Sequence, residues 1–206
     1  MRRPEFIAKH GGMPHGWLGR FVASIMERET TAINQDVIAL LDPKRGEAVL
    51  DVGTGNGMSL RYLAARVGEE SIVGVDHSPV MCRRAARNNK ALVADGRVTI
   101  KCTRSDDLPF ETGCFDAAMS VHTLYFWNPA EPHLKEIARV LRPGGRLVLA
   151  FRPSSDPATS DFPASVYTFR SIEEVESLAD SCGFENFSFE NGRDSEVLLC
   201  ATLSYS

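Results

Sequence analysis

The segment VLDVGTGNGMSL, residues 49–60, constrains the fold more than any other stretch of the chain. A short apolar run leads into Gly53, Gly55 and Gly57, three glycines within five positions. Directly after them Leu60, Leu63, Ala64 and Val67 recur at the spacing of an amphipathic helix. A strand, a glycine turn and a helix in this order make the first half of a parallel crossover, with the backbone bent closely around a ligand.

The same alternation continues. SIVGVD is the next strand, and Ser78-Pro79 opens a helix running through VMCRRAARNNKAL, a capping hydroxyl followed by proline at the first helical position. RVTIKC and CFDAAMSV are further strands; HLKEIARVL is a helix closed by RPGG, and the strand RLVLAFR follows. Parallel neighbours need helix-length connections, so the pattern predicts an α/β, Rossmann-like sheet with helices on both faces. Towards the C-terminus Ser171 and Glu174 have capping-box spacing ahead of IEEVESLADSCG. FENFSFE and EVLLCATLS, joined by the turn NGRDS, complete seven strands with an antiparallel edge.

Residues 1–45 stand apart as a helical cap, and residues 46–206 form the core. Leu18, Phe21, Val22, Ile25 and Met26, then Ile33, Val37, Ile38 and Leu41, fit one or two amphipathic helices. Such helices either shield a sheet edge or roof the crevice at the carboxyl ends of the strands. KHGGMPHGWLGR, with His10, His15 and Trp17 among glycines, suits a lid or a frayed terminus; the lid is preferred.

Composition excludes several classes of function. A net charge of −4 gives no broad attraction for phosphate backbones, so nucleic acid is not an expected partner. No apolar run reaches membrane-spanning length, and the basic start MRRPEFIAKHGG lacks a signal-peptide core. A soluble, cytoplasmic protein is expected. The five cysteines contain no C-x-x-C pair, which suits small buried side chains better than a redox or metal centre. His10 and His15 lack partners at ligand spacing, so no metal is expected.

The glycine order also narrows the ligand. In the dinucleotide fingerprint G-x-G-x-x-G the third glycine lets the helix approach its strand; here that position is Met58. No Lys-Ser/Thr follows the glycines, which excludes a phosphate-binding Walker loop. The spacing fits a ligand without phosphate whose polar end meets the loop backbone.

VLDVGTGNG, then VGVDHSP with its acid 25 residues after Asp51, DDLPFETGCFDAAMSV and RVLRPGGRLVLAFRP together resemble the successive motifs of class I S-adenosylmethionine-dependent methyltransferases. The resemblance is greatest to the small-molecule branch that includes the ubiquinone/menaquinone-biosynthesis type, and it covers residues 46 to 152. It implies S-adenosylmethionine as cofactor. Gly53, Thr54, Gly55 and Gly57 would then meet its amino-acid end, Asp51 would offer charge to its ammonium, and Asp76 would accept from both ribose hydroxyls. His77 would lie beside the adenine, with Val121 at the end of the fourth strand. For Asp76 a helix-capping role stands as the alternative. Such enzymes carry an acid four positions before the Leu of LPF to accept the adenine amino group, whereas this chain has Arg104, which cannot accept. Ser105 and Asp106 are the replacements expected there, unless Arg104 simply points to solvent.

The segment SVHTLYFWNP faces the acceptor in this reading. It lacks the [D/N]-P-P-[Y/F] pattern of enzymes that methylate amino groups of adenine or glutamine. His122 and Tyr125 are the catalytic base candidates, needed only if the acceptor must lose a proton. Phe126 and Trp127 either wall the acceptor or anchor the next helix. The function expected is methyl transfer to a small-molecule acceptor by in-line displacement. Two alternatives are a nicotinamide-dependent oxidoreductase, disfavoured by Met58, and a non-catalytic S-adenosylmethionine-binding module, for which Arg104 is the only indication. Neither the acceptor nor the oligomeric state has a signature in the sequence.

Overall fold

The computed structural model describes residues 32–68, 72–193 and 195–205. Helix α1 covers residues 32–41. It is followed by β1 (Val49–Val52), α2 (Met58–Val67), β2 (Ile72–Asp76), α3 (Pro79–Asn88), α4 (Lys90–Ala94), β3 (Val98–Cys102) and β4 (Phe115–Val121). A 3-10 turn at Leu124–Phe126 leads to α5 (Glu131–Val140) and β5 (Leu141–Phe151); a second, at Pro157–Asp161, precedes α6 (Ile172–Ser181), β6 (Phe184–Asn191) and β7 (Val197–Leu203).

The seven strands form one sheet in the order β3-β2-β1-β4-β5-β7-β6. β1 to β5 pair in parallel, and β7 runs antiparallel to both β5 and β6, so the terminal hairpin supplies the antiparallel edge. Strand order reverses at β1, between β2 and β4. Open α/β sheets bind ligands beyond the carboxyl ends of their strands at such a reversal, which is where Gly53 and His122 lie.

Strand alternation divides the core into two faces. Leu50, Val52, Val75, Leu147 and Leu149 pack with Leu134 and Ile137 of α5 and Val175 of α6. Val49, Ile72, Met119, Val148 and Leu198 pack with Leu60, Leu63 and Val67 of α2. The second face also receives Ile33, Val37, Ile38 and Leu41 of α1, each 2% exposed or less. Burial of each such side chain contributes about 2 kcal/mol. Arg146 fastens the end of α1, its Nε donating to the Leu41 carbonyl at 3.1 Å and its guanidinium meeting Glu47 Oε2 at 2.5 Å. Residues 32–41 of the segment expected as a cap are therefore part of the core packing. The lid proposed at His10, His15 and Trp17 lies outside the described residues.

Local signals acted much as the sequence suggested. Ser78 caps α3, accepting from the Met81 amide at 3.4 Å, and Ser171 and Glu174 form a reciprocal capping box at α6. The helix expected from Pro79 through Leu92 is instead two, because Asn89 leaves helical geometry (φ −112, ψ 25). Its buried amide donates to the carbonyls of Gly57 and Ala85, both at 2.9 Å, tying the break to the glycine loop.

Candidate functional site

The glycine loop is held over the carboxyl end of β2. The Gly53 and Thr54 amides both donate to the Val75 carbonyl, at 2.8 and 2.9 Å, and the Gly57 amide returns to the Thr54 carbonyl at 2.9 Å. Gly53, Gly55 and Gly57 all have positive φ, 76, 56 and 75°. Their surroundings differ. A Cβ on Gly53 would lie 2.1 Å from Thr123 Oγ1, one on Gly57 2.6 Å from Asn89 Nδ2 and 2.9 Å from Ala85 Cβ, and one on Gly55 would meet nothing nearer than 4.0 Å. Gly53 thus lets β1 approach the turn after β4, while Gly57 lets the loop approach α3.

Asp76 ends β2 and joins the loop to the next helix. Its Oδ2 accepts from the Gly55 amide at 3.0 Å and its Oδ1 from the Ser78 amide at 2.8 Å, with His77 Nδ1 at 3.8 Å. Burial holds the carboxyl above the ordinary aspartate range, against the pull of those amides and of His77. Each oxygen keeps capacity for a further hydrogen bond. The cap of α3 is Ser78 and not Asp76, whose Oδ1 bonds the amide just ahead of the helix and whose carboxylate stays open to a ligand.

A cleft of about 500 Å³ opens beside Asp76. Of the residues singled out in the sequence, Gly53, Asp76, His77, Arg104 and Ser105 line it, as do Phe126 and Trp127. Thr123, Asn128, His133 and Val166 complete much of the wall. The volume suits a small organic ligand, and the lining combines aromatic surface with a few polar groups. A nucleoside fits this donor and acceptor set: a carboxylate for ribose hydroxyls, and imidazole, hydroxyl and ring surfaces for a base.

Other expected residues lie elsewhere. Asp51 is 3% exposed and turns its carboxylate to the Ser59 hydroxyl of α2, behind the loop. Burial pushes its pKa up to about 6, in spite of the Ser59 bond. Thr54, Gly55, Gly57 and Val121 support the loop and the end of β4 without lining the cleft. Both Asp106 oxygens are engaged by Arg104, at 2.8 Å from Nε and 2.5 Å from Nη2. The Arg104 side chain is 71% exposed, and Asp106 does not reach the cleft wall.

The structure does not bring His122 or Tyr125 to the cleft either. His122 Nε2 pairs with Glu196 Oε1 at 2.8 Å, and its Nδ1 lies 3.0 Å from the Tyr125 hydroxyl, which also accepts from the Arg152 amide at 2.5 Å. Both imidazole nitrogens are occupied. Tyr125 packs among Phe126, Tyr167 and Phe169, and burial pushes its hydroxyl pKa up, so it holds its proton.

Two contributors escaped the sequence reading. His133, on α5, places Nδ1 2.8 Å from Ser105 Oγ and stacks on Trp127 with centroids 5.1 Å apart and planes 6° apart. Ser105 and His133 are 28 residues apart, so no local pattern could link them. Glu196 had one sign, a carboxylate opening an apolar strand, but its partner His122 lies in the turn after β4, far away in sequence. Among the described residues no group of three or more His, Cys, Asp or Glu side chains could hold a metal, and no helix is long and apolar enough to cross a membrane.

Residues 50–149 match the family described as Methyltransferase domain. The O-methyltransferase resE of Aspergillus sclerotiorum is 30% identical over 187 residues, spanning 86% of this chain and 70% of its own length. The demethylmenaquinone methyltransferase of Tropheryma whipplei is 33% identical over 177 residues, 73% of this chain and 72% of its own. A solved S-adenosylmethionine-dependent methyltransferase from Aquifex aeolicus superposes with a TM-score of 0.74 at 21% identity, covering 88% of this chain and 98% of that one.

Proposed function

This chain belongs to the class I S-adenosylmethionine-dependent methyltransferases, and from that membership we propose how its own residues serve the transfer. Asp76 holds the ribose through its two oxygens, the Gly53–Gly57 loop gives the amino-acid end a backbone surface, and His77, Ser105 and Trp127 enclose the base. Asp51 acts from behind the loop, stiffening it through Ser59 and supplying negative charge near the ammonium. When bound, the cofactor would supply a methyl group on a sulfonium sulfur, to which an acceptor nucleophile would bond in line as the carbon–sulfur bond breaks and the sulfur becomes a neutral thioether. The protein's part is to align the two reactants and exclude water, and the apolar surface of Phe126 and Val166 suits both tasks.

The acceptor we propose is a small organic molecule, in keeping with the names of the two relatives above. His122 and Tyr125 serve the reaction as positioning residues, since their polar atoms are committed to Glu196, Arg152 and each other. The setting we propose is the cytoplasm, where the five free cysteines stay reduced.

The observation that carries this reading is the buried Asp76 carboxylate at the cleft, beyond the end of β2 and against the glycine loop. Calorimetry with S-adenosylmethionine and S-adenosylhomocysteine, with NADH as control, tests it. Wild type is expected to bind both sulfur ligands and not NADH. Asp76→Ala is expected to weaken them by about 10- to 100-fold, the loss of one or two charge-assisted hydrogen bonds. Absence of binding to folded wild-type protein refutes the reading.

A further inference from the structure

We infer that Ser105 and His133 together read the hydrogen-bonding edge of the adenine base, a function for which Arg104 and Asp106 are both unsuited in this chain. The inference rests on the cofactor reading above and adds the residues that select the base.

Three observations carry it. Ser105 and His133 line the same cleft as Asp76, and their side chains are bonded, Oγ to Nδ1, at 2.8 Å. The His133 ring lies flat against Trp127, itself 2% exposed, which fixes the imidazole plane. Among the described residues His133 Nε2 has no hydrogen bond, whereas both oxygens of Asp106 are bound by an exposed Arg104.

The chemistry of the pair then sets what it can recognise. A neutral imidazole has one N–H and one bare nitrogen, and a hydroxyl has one O–H. If Ser105 donates to Nδ1, Nε2 carries a proton and the hydroxyl oxygen is left to accept. If Nδ1 donates to Ser105, Nε2 is left to accept and the hydroxyl to donate. Both tautomers present one donor and one acceptor. An adenine edge presents the complement, an amino donor beside a ring-nitrogen acceptor. Protonated His133 loses the Nε2 acceptor in every arrangement. Burial holds its pKa below the ordinary histidine value, with Asp106 opposing and the Arg104 and Arg170 charges assisting, so the ring is neutral at neutral pH.

The test compares S-adenosylhomocysteine with its purine-riboside analogue, which lacks the 6-amino group, by calorimetry on wild type, His133→Phe and Ser105→Ala. Phenylalanine keeps a flat ring on Trp127 and removes both nitrogens. Wild type is expected to prefer the amino-bearing ligand by about tenfold; in each variant its affinity falls about tenfold while the analogue changes by less than about twofold. Ser105→Ala gives an independent reading if His133→Phe fails to fold. The inference is overturned if both ligands weaken together or neither changes. Failure of folded wild type to bind either ligand overturns the cofactor reading itself, and this inference with it.

Discussion

His122 Nε2 lies 2.8 Å from Glu196 Oε1, so the turn ending β4 is bonded to the residue that enters β7. That turn needs support. His122 has φ 55°, a left-handed conformation that costs a non-glycine residue energy unless its surroundings hold it. Glu196 and Tyr125 grip the two sides of the imidazole, and the next residue, Thr123, is the one facing Gly53. Glu196→Ala leaves Nε2 without its acceptor and is expected to destabilise the protein by about 1–3 kcal/mol. Urea unfolding should show a lower midpoint at an unchanged slope. An unchanged midpoint would mean that the pair does not hold the turn.

Gly53→Ala and Gly55→Ala should separate contact from conformation. Both positions have positive φ, but only at Gly53 would the added carbon overlap Thr123, at 2.1 Å from Oγ1. Gly55→Ala should therefore cost about 1 kcal/mol, the backbone penalty alone. Gly53→Ala should cost more, by about 1–3 kcal/mol, as the β1 and β4 turns are pushed apart. Its S-adenosylhomocysteine binding should fall with it. Equal thermal midpoints for the two variants would contradict this assignment.

Asp51 gives the fold a pH dependence whose sign follows from burial. Its carboxyl titrates at about 6 in the folded chain against a reference of 3.8, so the folded state keeps this proton to higher pH than the unfolded state. The stabilising effect of protonation is complete at acid pH and is lost as pH rises through that window, by about 3 kcal/mol in total. Asp51→Asn removes this dependence. The unfolding free energy of the variant minus that of wild type should therefore rise between about pH 4 and about pH 7. A difference that is the same at both pH values would show that Asp51 does not titrate abnormally.

The fold was legible because its signals are local and repeated. Leu60, Leu63, Ala64 and Val67, read at helical spacing, are the apolar residues α2 buries, and Ser78 and Ser171 cap the helices they precede. Asn89 breaks a predicted helix because its side chain satisfies carbonyls of both the glycine loop and α3, which no local pattern reveals. The cleft was legible where strand ends make it, at Gly53 after β1 and at Asp76 and His77 at the end of β2. It was obscure where two distant elements must meet, as with Ser105 and His133, or where a neighbour captures a side chain, as Arg104 does Asp106. His122 and Tyr125 looked reactive by residue type, but their partners Glu196 and Arg152 come from elsewhere in the chain.

Arg104 offers the last prediction. In the sequence it stands where an acceptor for the adenine amino group is expected, and an arginine cannot accept. In the structure its guanidinium is turned to solvent and holds Asp106 in a two-point pair, lowering the Asp106 pKa. An exposed pair of this kind is screened by water and salt and contributes little. Arg104→Ala should therefore alter S-adenosylhomocysteine affinity by less than about twofold, in low and in high salt. If Arg104 instead blocked the base, its removal would tighten binding; if it gripped the ligand, its removal would weaken binding in a salt-dependent way. Titration of the variant at two ionic strengths distinguishes the three. A flat response would leave the recognition of the base to groups other than Arg104.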